Sequence, residues 1–168
     1  MRFILDANTL IYLVKANLSQ EFINLIDNEI IIDKSVYNEV VEKGIENNYP
    51  DAYLVESFLE VNQIPIIPVN ITSELSKFRD PGETSCYILA KSEGLCISSD
   101  IRAIKKFNNF QIPCIQLDTF FYKQFLNKKI RRNKCISILR DLKNVNGTSA
   151  NRISIFFELI LNGGKKDE

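Results

Sequence analysis

The stretch MRFILDANTLIYLVK, residues 1–15, decides the fold. Phe3, Ile4 and Leu5 form a short apolar run with no polar break, and Asp6 follows at once. After Ala7, Asn8 and Thr9, a second apolar run extends from Leu10 to Val14. An apolar strand ending in a carboxylate, then a helix, opens an α/β unit. In open α/β sheets the ligand site lies outside the carboxyl ends of the strands. Asp6 belongs there, with Asn8 beside it at the start of the helix. Asp and Asn are also preferred helix caps, so Asp6 taken alone reads as a cap. Three further acidic residues at similar places turn the reading towards a site.

The pattern of the first unit recurs along the chain. Ser19 and Glu21 start a helical segment carrying Phe22, Ile23, Leu25 and Ile26. Ile30, Ile31 and Ile32 form a β-branched strand ending at Asp33, as expected of a buried parallel strand. Ser35 opens a helix with Val36 and Val40 on its apolar face and Gly44 as C-cap, and it carries Glu39. Pro50 opens the next helix, with Tyr53, Leu54, Phe58 and Leu59 inward. Ile64 to Val69 is a strand whose two prolines suit a sheet edge. A short helix is expected from Thr72 to Phe78. In RDPGETSCYILAKSEG, Asp80 caps a helix, Glu83 stands in its first turn and Gly94 ends it. Leu95 to Ile97 is a strand running into Ser98, Ser99 and Asp100, followed by a helix to Phe107. Ile112 to Leu117 is the last strand, and Asp118 caps a helix towards Phe125. Two helices fill the remainder, joined by a turn at Asn146-Gly147.

Such alternation predicts a three-layer α/β/α fold with a central, mostly parallel sheet of about five strands, plus a C-terminal helical extension. The expected organisation is an α/β unit over 1–125, a basic helical extension over 126–162 packed on or beside it, and a frayed tail over 163–168.

Composition narrows the chemistry. With 45% hydrophobic and 25% charged residues, the chain reads as an ordinary globular protein. No apolar run approaches the ~20 residues of a membrane helix, and Asp6 interrupts the N-terminal apolar segment, so a cytoplasmic location is expected. There is no histidine, which excludes Ser-His-Asp and Cys-His catalysis. The four cysteines, Cys86, Cys96, Cys114 and Cys135, form no CxxC pair and read as buried reduced thiols. Neither GxGxxG nor GxxxxGK[ST] occurs. The net charge of zero conceals a basic stretch: from Lys123 to Arg152, nine Lys and Arg face only Asp141. That asymmetry points to a polyanion or an acidic protein as partner.

Four acidic residues then stand out by position. Asp6 and Asp100 each follow an apolar strand, Glu39 lies on the helix after the second strand, and Glu83 is in the first turn of the helix before Asp100. Crowded carboxylates repel and need cations. Oxygen ligands without histidine favour Mg²⁺ or Mn²⁺, and such ions can drive phosphodiester cleavage.

Asp6 in ILDANTLIYL, Glu39 in SVYNEVVEKG, Glu83 in DPGETSCYILAKSEG and Asp100 in CISSDIRAIKKF resemble the acidic residues of PIN domains over residues 2–122. Asn8 and Ser98 match supporting polar positions, and Asp80 is the alternative to Glu83. The resemblance implies an α/β/α fold and a metal-dependent endoribonuclease in which Asp6, Glu39, Glu83 and Asp100 hold Mg²⁺ or Mn²⁺. It also implies a toxin of a toxin–antitoxin pair, partnered by a small antitoxin protein, and a homodimer. The alternatives are a catalytically silent RNA-binding or regulatory module and a non-toxic RNA-processing nuclease. Lys105, Lys106, Lys128, Lys129, Arg131, Arg132 and Lys134 are expected to flank the site and grip the RNA backbone. The rival reading makes the apolar faces of residues 130–160 a dimer interface.

Overall fold

Short β-branched and apolar runs become strands because both of their faces are covered. The computed structural model describes residues 2–163 except Arg79 and Glu93. Its strands are β1 (Arg2–Leu5), β2 (Ile30–Asp33), β3 (Ile66–Ile67), β4 (Gly94–Ile97) and β5 (Cys114–Ile115). They form one five-stranded sheet in the order β3-β2-β1-β4-β5. Every pairing is parallel, and Leu5 lies opposite Ile97 at the carboxyl ends of β1 and β4. Ile4, Leu5, Ile32 and Ile97 are fully buried. The three-layer α/β/α arrangement is therefore the observed fold.

The helices are α1 (Ala7–Lys15), α2 (Ser19–Asn24), α3 (Lys34–Tyr37), α4 (Lys43–Glu46), α5 (Pro50–Val61), α6 (Pro81–Lys91), α7 (Ile101–Asn109), α8 (Leu117–Leu126), α9 (Arg132–Asn144) and α10 (Ala150–Gly163). A π-helical turn, Asn38–Glu42, joins α3 to α4. The chain leaves β1 towards β2 and β3, then returns to β4 on the other side of β1. Right-handed crossovers running in opposite directions put their helices on opposite faces. Beside β1 the connections diverge, which opens a crevice at the carboxyl ends of β1 and β4.

Several local readings differ from the sequence expectation. Residues 72–77 form successive turns rather than a helix. The segment is too short to offset helix nucleation, and Phe78 leaves it to join Tyr87, Phe107 and Phe110 in an aromatic cluster. Gly44 is no C-cap; it is buried inside α4, where an added Cβ would stand 2.6 Å from Ala52 Cβ. That close crossing turns Ala52, Val55, Phe58 and Leu59 inward and leaves Tyr53 and Leu54 exposed. Gly94 does not end α6 but begins β4, where a Cβ would run into Ile4 Cδ1. The strands expected over 64–69 and 112–117 shrink to β3 and β5 at the sheet edges. Asp118 is not a cap either. It lies inside α8, is 1% exposed and is bound by Arg152 of α10. Gly44→Val is expected to force α4 and α5 apart and cost about 1–3 kcal/mol, read as a lower urea midpoint; an unchanged midpoint would show that this crossing is not tight.

The C-terminal helices share the core of the sheet region. Ile130, Cys135, Ile138, Leu139, Leu142, Ile153, Phe156 and Ile160 are buried in the same cluster as Leu5 and Ile97. Phe156 stacks 4.9 Å from Tyr122 of α8. Part of the apolar face considered for dimerisation thus packs within the chain against α8, while Ile155 and Leu159 of α10 stay exposed. Residues 164–168, most of the expected tail, lie outside the described residues. All four cysteines are buried as free thiols. Burial pushes Cys135 up to about 12, and the Cys96 thiol is raised by its Cys114 and Cys86 neighbours and by burial. Such thiols are chemically quiet at neutral pH.

Candidate active site

Helix N-termini converge on this crevice, and an aspartate caps each. Asp6 Oδ1 accepts from Thr9 N at 2.7 Å. Asp33 Oδ1 accepts from Ser35 N at 2.7 Å. Asp80 Oδ1 accepts from Glu83 N at 2.8 Å, and Asp100 Oδ1 accepts from Arg102 N at 2.7 Å. The helix dipole favours negative charge at these ends. Capping and facing a site prove compatible. Asp6, Asp80 and Asp100 line one cavity of about 130 Å³ together with Asn8, Glu39, Glu83 and Ser98. Val36, Cys86, Cys96, Ala103 and Phe107 supply its apolar wall.

Each side chain is placed by its own element. Asp6 ends the central strand, and Thr9 Oγ1 donates to Ile97 O at 2.9 Å, tying α1 to β4. Ser98 is buried and its Oγ accepts from Asp100 N at 3.1 Å, which sets the turn that presents Asp100. Glu39 enters from the π-helical turn, a distortion that often marks functional positions. Gly82 leaves it room: a Cβ there would stand 3.2 Å from Asp80 Oδ1 and 3.5 Å from Glu39 Oε2. Glu83 reaches across to α7, where Lys106 Nζ donates to its Oε2 at 2.5 Å.

The electrostatics are those of an anionic cleft. Burial pushes the Asp6 carboxyl above its ordinary range; Ser98 and Thr9 pull it back, and the Asp100 charge raises it further. Burial also raises Glu39, as do Asp80 and Asp6, while Lys43 opposes them. The donors are carboxylate and hydroxyl oxygens in a chain without histidine, which by type suits a hard divalent cation. Among the described residues, no three His, Cys, Asp or Glu are gathered closely enough to hold an ion as they stand.

Asp6, Asn8, Glu39, Glu83, Ser98 and Asp100 therefore meet in one cavity, with Lys106 at its edge. Lys105 faces a neighbouring groove shared with Gln116 and Arg152. The other basic residues expected to flank the cleft are elsewhere. α8 starts beyond the carboxyl end of β5 and runs back along the sheet, which carries Lys128, Lys129, Arg131, Arg132 and Lys134 to the amino ends of the strands. There Lys129 pairs with Asp27, just before β2, and Lys134 with Glu21 at 2.8 Å. Charge density along the sequence carried no information about the end of the sheet a helix would reach.

The sequence reading passed over Asp33 and Lys43. Asp33 is 2% exposed, and its Oδ1 also accepts from Ser35 Oγ, which lies 3.2 Å from Ser85 Oγ of α6. This chain of contacts ties β2 and α3 to α6, the helix that carries Glu83. Its signal was present: Asp33 ends an isoleucine strand just as Asp6 ends β1. Lys43 gave one too: it follows Glu39 by four residues, the spacing at which opposite charges on a helix meet.

Among curated proteins, none matches the chain. A family model, DUF3368, described as a PIN domain, matches residues 2–105. Those residues contain β1 to β4 and every carboxylate of the cavity, on a fold of the nuclease type. The chain belongs to the PIN-domain family.

Proposed function

We propose that the protein is a metal-dependent endoribonuclease. The observation that carries this reading is the convergence of Asp6, Glu39, Glu83 and Asp100, with Asn8 and Ser98, on one cavity at the switch point of the sheet. Asp6, Glu39, Glu83 and Asp100 would hold Mg²⁺ or Mn²⁺. A cation bound there supplies Lewis-acid charge at the scissile phosphate and eases deprotonation of the attacking water. The chain's own part is positioning. Thr9 and Ser98 fix the rotamers and turns of Asp6 and Asp100, and the apolar wall of Val36 and Phe107 keeps bulk water from one side. Water adds to phosphorus, the bridging P–O bond breaks, and the products are a phosphomonoester and a free hydroxyl.

In this reading residues 1–125 are the catalytic unit and 126–162 a helical buttress. Lys105 and Lys106 meet the RNA backbone near the cleft. Lys128, Lys129, Arg131, Arg132 and Lys134 would meet only RNA that extends to the amino edge of the sheet. A toxin role would add a small antitoxin protein as partner, a homodimer and a cytoplasmic location.

The Lys106–Glu83 pair favours a second reading, a catalytically silent RNA-binding module, since one acidic residue already has its counter-ion. Purified protein incubated with total RNA separates the two. Cleavage that appears with Mn²⁺ or Mg²⁺ and disappears with EDTA is expected; RNA binding without cleavage at any divalent cation would replace the ribonuclease with the binding module.

A further inference from the structure

A second groove, of about 280 Å³, lies along the next face of α7 from the cleft. The two meet at the start of that helix: Asp100 lines the cleft, and Ile101, the next residue, lines the groove. Ile101, Ile104 and Ile115 give the groove an apolar surface, and Ile101 is 54% exposed there. Lys105, Gln116 and Arg152 give it charge and hydrogen-bonding groups. Arg152 is held rigidly. Its Nε and Nη2 donate to Asp118, Nη2 also donates to Thr119 Oγ1 at 2.9 Å, and the guanidinium stands 5.3 Å from the ring centroid of Phe156. An arginine carries five N–H donors. Among the described residues those on Nη1 have no partner, and one-third of the side chain is in water. Lys105 is exposed and makes no ion pair among the described residues, whereas Lys106, Lys129 and Lys134 are each paired.

We propose that this groove is a subsite for a flanking nucleotide of the RNA: a backbone phosphate rests on Lys105 and the Nη1 edge of Arg152, and its nucleoside lies against Ile101, Ile104 and Ile115. This rests on the reading of RNA as the substrate and deepens it. The carboxylates of the cleft repel phosphates, so affinity has to come from beside it. Asp118 takes one edge of the guanidinium fork and leaves the other for a phosphate oxygen, a geometry arginine suits. The ion pair that anchors α10 therefore also aims the arginine, and a side chain already locked loses little freedom on binding. Lys105 supplies the net positive charge of the groove. Gln116 adds an amide that α8 does not use as a cap, free to meet a base edge or a ribose hydroxyl. Gln116, Thr119 and Arg152 lie beyond residues 2–105, which match the family model, so the C-terminal part of the chain adds this subsite to the PIN unit.

The test is binding of a short fluorescein-labelled single-stranded RNA in EDTA, followed by fluorescence anisotropy across a salt series. Lys105→Ala is expected to weaken binding severalfold and to lower the slope of log affinity against log salt by about 0.7, the share of one single-strand phosphate contact. Gln116→Glu, which brings a carboxylate into the groove from the α8 side, should weaken binding at least as much. Ile101→Ala should weaken binding with the slope unchanged, because it removes apolar contact alone. All three side chains keep contact with solvent; a melting curve checks each fold, and the other two variants decide if Gln116→Glu does not fold. Unchanged RNA affinity in any folded variant of the three overturns the subsite and leaves RNA as the substrate. A poly-glutamate peptide that binds the wild type and is lost in these variants, while RNA binding holds, makes the groove an acidic-peptide site instead. A wild-type chain that binds no RNA overturns both.

Discussion

Asp6→Asn is expected to reduce RNA cleavage by about 10²-fold or more, the scale of removing one electrostatic stabiliser from a preorganised site, while raising the melting temperature of the metal-free protein. The two effects have one origin. Burial and the nearby Asp100 charge raise the Asp6 carboxyl above its ordinary range, so the fold prefers its neutral form. A carboxyl raised on folding destabilises the protein at pH above its folded value, and this penalty fades as pH falls through that value. Asparagine removes the charge at every pH and keeps the cap, since its side-chain oxygen can still accept from Thr9 N. The midpoint gain should therefore be present at neutral pH and shrink on acidification. Mn²⁺ should stabilise the wild type and leave Asp6→Asn unmoved. Full activity of Asp6→Asn would remove Asp6 from the site, and a lower midpoint would contradict the electrostatic account.

Arg152→Ala carries the largest expected loss of stability. Arg152 Nε donates to Asp118 Oδ2 at 2.7 Å and Nη2 to Asp118 Oδ1 at 2.6 Å, a two-pronged pair. Thr148 Oγ1 adds a bond to Oδ2 at 2.6 Å. Asp118 is 1% exposed, whereas the arginine side chain keeps one-third of its surface in water. Removing the arginine strands a buried charge, at a cost near the low end of the range for broken buried pairs, about 3 kcal/mol. For a chain of this size that is roughly 6–12 °C in melting temperature. Adding Asp118→Asn to Arg152→Ala should recover part of the loss, because a buried amide costs less than a buried charge. A melting temperature for Arg152→Ala within measurement error of wild type would show that α10 is held by its apolar face alone.

The sequence determined the parts of this protein that depend on neighbours along the chain. Apolar runs at 3–5, 30–32 and 95–97 are strands because only a sheet covered on both faces buries them, and Asp6, Asp80 and Asp100 cap the helices that follow because capping is local chemistry. Asp6 and Asp100 after strands, with Glu39 and Glu83 near the starts of helices, were enough to bring the four together, since a parallel sheet gathers its strand carboxyl ends and the helix starts beyond them on one side. The tertiary structure decided everything that depends on distance in space. It chose which face of α5 is buried, through the Gly44–Ala52 crossing, and it made Asp118 an ion-pair partner instead of a cap. It sent the densest basic cluster to the far end of the sheet, since the length and direction of α8 fix where residues 128–134 can stand. It also joined Glu83 to Lys106, a pairing between helices that no spacing in the sequence announces.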